Sequence, residues 1–342
     1  CSSDLTMRFI IVLSLLIILV SCTKATPLDP LQTVNLASTI THSVEVNFCT
    51  PPAVQQKQYL KTVVVLDHSG SNALNYKMMA DGSGSPDVSS GKMIIDPIYA
   101  TDPKGLTRYG NEATAGTLLN YLSTLEPNDP ADPTRFFAAV DFSSGATTFP
   151  GSASGFTSDI AGFYNQVAQN AGSASGGAPN DSGGTSYLSA LTAAYNIINN
   201  DIQAAKNCAA KATTAAPTAA CPKPGIATSS SYVVVFMSDG SPIINVTGVG
   251  ADGVVTGPIV LTRESTTEIL GKVGAMMALL SNDKYVTSIN MFTIYYYAPG
   301  NVDQNSQALL SQMAKAGNGL AYNALSGTNI DYKQFQPPAK ML

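Results

Sequence analysis

Five oxygen-bearing side chains stand out by type and order: Asp67, Ser69 and Ser71 in an Asp-x-Ser-x-Ser run, then Thr185, then Asp239. A hard divalent cation takes oxygen ligands, so Mg2+ fits this set, with Mn2+ or Ca2+ as alternatives. One loop supplies at most three donors, and the rest must come from other parts of the chain. Two formal negative charges balance a divalent ion. Three neutral hydroxyls leave it electrophilic, able to accept a carboxylate from an incoming partner. Singly, each of these residues has a plainer role, because Ser, Thr and Asp favour helix starts and turns. Only the set points to a metal.

The elements around these residues support that reading. Asp67 ends an apolar, mostly β-branched run, Val63-Val64-Val65-Leu66, and Asp239 ends a second, SYVVVFMS, at residues 231–238. Continuous apolar runs closed by turn residues read as central strands of a parallel sheet, buried on both faces. Ligands of such sheets bind at the carboxyl ends of the strands. Thr185 follows Gly183-Gly184 and opens a stretch, TSYLSALTAAYNII, with apolar residues at helical spacing.

In this order, each at an element boundary, the five residues resemble the metal-ion-dependent adhesion site of the von Willebrand factor A domain family. The resemblance covers roughly residues 60–330. It implies a doubly wound α/β fold, with a mostly parallel six-stranded sheet, helices on both faces and one antiparallel edge strand. It also implies a divalent cation held by Asp67, Ser69, Ser71, Thr185 and Asp239, with hydroxyls on the metal and carboxylates acting partly through water. A carboxylate from a protein or glycan ligand would complete the octahedron. In the family a final helix follows the last strand. Here residues 329–335 are short and Pro337-Pro338 ends them, so a helix-linked affinity switch is in question.

Composition narrows the partners. The chain has 342 residues, 44% hydrophobic and 8% aromatic, enough for a packed core. Only 12% are charged, the net charge is −5, and no cluster of Lys and Arg is present, which disfavours nucleic acid. The amino terminus reads as an address. Residues 1–6 precede Met7 and look like upstream read-through. Arg8 then leads into a twelve-residue apolar core, FIIVLSLLIILV, too short to span a bilayer but suited to a signal peptide. Its ending, Leu-Val-Ser-Cys22, resembles the lipobox of bacterial lipoproteins, which implies acylation of Cys22 and contact with the membrane through a lipid anchor only. Thr23 after the cysteine points to the outer membrane of the cell envelope. Cys208 and Cys221 bracket an Ala/Thr-rich loop. A disulfide there would close roughly 15 residues and contribute about 3 kcal/mol. Cys49 is left over.

The expected organisation is residues 1–22 as read-through and signal peptide, 23–58 as tether with a short edge strand, 59–335 as the A-type domain, and 336–342 as tail. Insertions fall at about 72–112, 208–230 and 241–262. The first helix is delayed by the first insertion to residues 113–125. Strands are expected at 135–142, 146–149, 285–298 and 320–324. Helices are expected at 160–171 behind an Asp159 cap, from 185 to about 207, from a capping box at Ser265-Thr266-Thr267-Glu268 to about 280, and at 303–316.

Enzyme readings fare poorly. With two histidines, His42 and His68, a His-ligated zinc site cannot be assembled. His68, between Asp67 and Ser69, reads as a solvent-facing loop residue, and no G-x-S-x-G elbow occurs. The G-x-G-x-x-G letters at residues 248–253 are followed by VVTGP instead of a helix. The expected function is a binding module, not an enzyme. The alternative is an envelope assembly or scaffold component in which the metal is structural and contacts run through the insertions.

Overall fold

The computed structural model describes residues 57–73, 75–76, 86–87, 92–93, 95–96, 100–102, 107–108, 133–150, 155–170, 181–209, 228–249, 255–325, 330 and 335. The signal peptide with Cys22, the short edge strand at 42–48, Cys49, the expected helix at 113–125 and Cys221 lie outside these residues. So therefore does any Cys208–Cys221 disulfide.

In chain order the elements are β1 (Lys57–Asp67), a 3-10 turn (Gly70–Asn72), and four two-residue strands of the first insertion: β2 (Asn75–Tyr76), β3 (Pro86–Asp87), β4 (Lys92–Met93) and β5 (Ile95–Asp96). Then come β6 (Arg135–Phe142), β7 (Ala146–Phe149), α1 (Ile160–Asn170) and α2 (Tyr187–Ala209). They are followed by β8 (Thr228–Ser238), β9 (Ile243–Val249), β10 (Val255–Arg263), α3 (Thr266–Met277), β11 (Val286–Tyr297), α4 (Gln304–Ala316) and β12 (Ala321–Leu325). The main sheet has six strands in the order β12-β11-β8-β1-β6-β7, all parallel except the β6–β7 edge pair. This is the doubly wound α/β architecture expected from the sequence.

β1 is central for a simple reason. Val63 and Val65 face one side of the sheet, Val64 and Leu66 the other, and all four are fully buried. The first side packs on α2, α3 and α4 through Leu191, Ile198, Val273 and Leu310. The second is covered by Phe163 and Val167 of α1 and by Ile330 and Phe335. Helices thus lie on both faces. Strand order reverses between β1 and β8, because β6 and β7 continue on one side of β1 while β11 and β12 continue beyond β8. A crevice forms at the carboxyl end of such a switch point.

Several boundaries differ from the sequence expectation. β1 begins at Lys57, two residues before the expected domain start, and β8 begins at Thr228. The third insertion is an antiparallel ribbon, β9 with β10, rather than an irregular loop. Ser265 occupies the N-cap of α3, but its side chain makes no cap hydrogen bond, so the capping box does not form. Asp159 and Asp303 do cap, accepting from the backbone N–H of Gly162 and Asn305. Among the described residues no helix is long and apolar enough to cross a membrane.

Ile330 and Phe335, near the carboxyl terminus, cover part of the second face. The Phe335 ring packs at a tilt against Phe292 at 5.6 Å and edge-on against Tyr322 at 4.9 Å, on the second face. Phe335→Ala should therefore lower the unfolding free energy by about 3–5 kcal/mol, read from urea denaturation.

Candidate metal centre

Asp67 and Asp239 arrive side by side because β1 and β8 pair in parallel register, Leu66 opposite Met237. Both carboxyls are buried. Each of their four oxygens receives a donor. Asp67 Oδ1 accepts from the Ser69 backbone N–H at 2.8 Å, and Oδ2 from the Ser238 hydroxyl at 2.5 Å. Asp239 Oδ1 accepts from the Ser71 hydroxyl at 2.9 Å, and Oδ2 from the Thr101 hydroxyl. Ser69 Oγ lies 2.9 Å from Ser71 Oγ.

This pattern bears on whether the residues fit a cation. Hydroxyls that donate their protons to carboxylates keep their lone pairs for another partner. Ser69 Oγ and Ser71 Oγ are hydrogen-bonded to each other at 2.9 Å. Two carboxylates with neighbouring hydroxyls are the kind of oxygen donor that a hard divalent cation takes. Among the described residues no group of three His, Cys, Asp or Glu side chains is placed to hold a metal; the donors here are two carboxylates and hydroxyls.

Thr185 lies just before α2 and is set there by backbone bonds, not joined to the carboxylates directly. Its N–H donates to the Ile243 carbonyl at 2.8 Å, while Gly70 N–H donates to the Gly183 carbonyl and Ser182 N–H to the His68 carbonyl. Gly183 has φ +81°, and a Cβ on Gly184 would come within 2.8 Å of the Ile243 carbonyl oxygen, so the loop needs both glycines. The five residues thus share one sheet edge, four of them linked into one hydrogen-bonded cluster.

The parts of the centre that come from the first insertion carry no signal in local sequence pattern. Thr101 adds a hydroxyl to Asp239, and its backbone N–H donates to the Ser71 carbonyl at 3.3 Å. Arg108 is completely buried. Its guanidinium donates to the Asp67 carbonyl at 2.7 Å, to Asp102, and to both oxygens of Asp181 at 2.7 and 2.8 Å. Asn72 donates to the carbonyls of Asp67 and Ser69 and accepts from the Tyr296 hydroxyl.

His68 is not solvent-facing. It is mostly buried, with Nδ1 3.4 Å from Asp181 and Nε2 3.6 Å from Asp141. Its neighbours in space are acids from other elements, which its position between Asp67 and Ser69 could not reveal. Burial, with Arg108 nearby, pushes its pKa down to about 4, so the imidazole is neutral at neutral pH. Burial pushes Asp141 up to about 7. Burial and the adjacent Asp67 push Asp239 up to about 8, and burial raises Asp67 as well.

The sheet and the centre together define an open, doubly wound α/β protein with a carboxylate–hydroxyl cluster at its switch point. No protein-family model and no curated protein matches the chain. Among solved structures, similar ones include an aerotolerance-related membrane protein from Bacteroides fragilis, 13% identical over 80% of this chain and 94% of that one, with a TM-score of 0.33. The PilB minor pilin from Streptococcus sanguinis is 11% identical over 81% of this chain and 59% of that one, with a TM-score of 0.37. The conserved hypothetical protein BatB from Bacteroides thetaiotaomicron is 14% identical over 76% of this chain and all of that one (100%), with a TM-score of 0.22. Likenesses this distant do not bear on function.

The raised acid at Asp239 has a pH consequence. Unfolded Asp239 loses its proton near 3.8, whereas the folded residue keeps it to about 8. Between these values the folded state binds more protons, so metal-free stability must fall as pH rises. Below about pH 6.5 the lowered His68 works the other way, so the decline is read from thermal melts in chelator between about pH 6.5 and about pH 8, where Asp239→Asn should reduce it, leaving the contributions of Asp141 and the other raised carboxyls.

Proposed function

We propose that this chain is a von Willebrand A-type protein of the bacterial cell envelope that binds a carboxylate-bearing protein or glycan ligand through a divalent cation. Ser69, Ser71 and Thr185 would hold the cation directly, Asp239 would orient the Ser71 hydroxyl, and Asp67 and Asp239 would balance its charge. When bound, Mg2+ supplies an electrophilic coordination position for the ligand's carboxylate. The chain's own residues supply orientation. Ser71 and Thr101 clamp Asp239 from both oxygens, and Ser238 and the Ser69 N–H clamp Asp67. The observation that carries the reading is the hydrogen-bonded cluster of Asp67, Ser69, Ser71 and Asp239 at the carboxyl ends of two paired parallel strands. The ribbon of β9 and β10, leaving directly after Asp239, would contribute to ligand choice. We take the protein to be a binding module and not an enzyme, anchored in the outer membrane through Cys22.

A second reading has its own support. Thr101, Asp102 and Arg108 fasten the first insertion to the centre, as expected where a metal serves to lock loops in an assembly component. Deleting residues 83–99, which stops short of Thr101, separates the two. The scaffold reading predicts lost assembly with metal affinity intact.

Calorimetric titration of Mg2+ into the purified protein should give saturable binding that Asp239→Ala abolishes. Near neutral pH the heat should change with the buffer's ionisation enthalpy, because the cation displaces the Asp239 proton. Ligand capture that survives both EDTA and Asp239→Ala would sink the adhesion reading.

A further inference from the structure

On the first face of the sheet, in its lower half, lies a second buried charged pair that the metal centre does not use. Lys61 of β1 and Asp201 of α2 are 1% and 0% exposed, and Lys61 Nζ contacts Asp201 Oδ2. Four aromatic rings surround the ammonium nitrogen: Tyr232 at 5.6 Å, Tyr59 at 5.7 Å, Phe156 at 5.9 Å and Phe136 at 6.0 Å from their centroids. The Tyr232 hydroxyl donates to Asp201 Oδ2 at 2.6 Å, and Asp201 Oδ1 is buried without a hydrogen-bond partner.

We propose that Lys61 and Asp201 condense into an intramolecular isopeptide bond that ties β1 to α2. In water an amine and a carboxylic acid do not condense, because one is protonated and the other ionised. Burial opposes both charges, lowering Lys61 and raising Asp201, so the pair approaches the neutral amine and neutral acid that the reaction requires. The proton passes from Nζ to Oδ2, the carboxyl oxygen it contacts. The Nζ lone pair then attacks Cγ, and negative charge develops on Oδ1, which becomes the amide oxygen. The new C–N bond remains. The Cγ–Oδ2 bond breaks, and Oδ2, to which the Tyr232 hydroxyl donates, departs as water after taking a second proton from the nitrogen. One amide and one water form from one amine and one acid, with no oxidant, reductant or further reactant. Holding the groups in contact removes the entropic cost of bringing them together. The product also ends the burial of two charges that the aromatic surroundings oppose.

The test is mass spectrometry of tryptic peptides from the purified full chain, digested after denaturation. Acylated Lys61 resists trypsin, so the expected product is a branched peptide joining residues 58–77 to residues 136–206. Its mass should be one water below the sum of the two, and reductant should leave it intact. Lys61→Met and Asp201→Ala should each yield only linear peptides. The wild-type protein decides the matter even if those variants fold poorly. Complete cleavage after Lys61, with both segments at their sequence masses, would overturn the proposal and leave a buried ion pair. The outcome is independent of metal binding.

Discussion

Two carboxyl groups, Asp67 and Asp239, are buried together where the strand order reverses, and much of the surrounding structure compensates for that. Burying one carboxylate is costly unless hydrogen bonds satisfy it, and burying two side by side adds their repulsion. The chain meets both demands with hydroxyl and amide donors on all four oxygens and with a pKa for Asp239 of about 8. Such an arrangement is satisfied by the protein's own donors, and the Ser69 and Ser71 hydroxyls join the two acids into one cluster. Position follows from register: parallel pairing of β1 with β8 leaves the two acids no other place.

Around this pair runs a second layer centred on Arg108. Its five donors reach the Asp67 carbonyl, Asp102 and Asp181, joining the β1 loop, the first insertion and the segment before α2. Planar, bidentate pairing of this kind suits arginine and would not survive replacement by lysine. His68 and Asp141 fill the remaining space, the imidazole neutral and the acid only partly ionised near neutral pH. The insertion is thus not an ornament on the domain. It supplies the cation that lets several acids share one edge of the sheet.

The two sheet faces are closed by different means. The first carries three helices and the Lys61–Asp201 pair within its apolar packing. The second is covered by α1 and by two anchors, Ile330 and Phe335. Phe335 makes ring contacts with Phe292 and Tyr322 there.

Sequence alone determined the frame. Runs of β-branched residues buried on both faces mark β1 and β8 as central strands, and apolar residues at helical spacing mark α2. The five polar residues at their ends name the edge where chemistry could occur. These signals are local and periodic, so they survive without knowledge of the fold. Even some local signals gave way: the Ser265 box has the right letters, but its side chain does not cap. What only the tertiary structure decided are pairings across large sequence separations, such as Thr101 on Asp239, Arg108 on Asp181, His68 between Asp141 and Asp181, and Lys61 on Asp201. No spacing rule encodes such pairs. They exist because the sheet's register and the return of the insertion bring side chains together, and because a buried charge must find a partner wherever the chain supplies one.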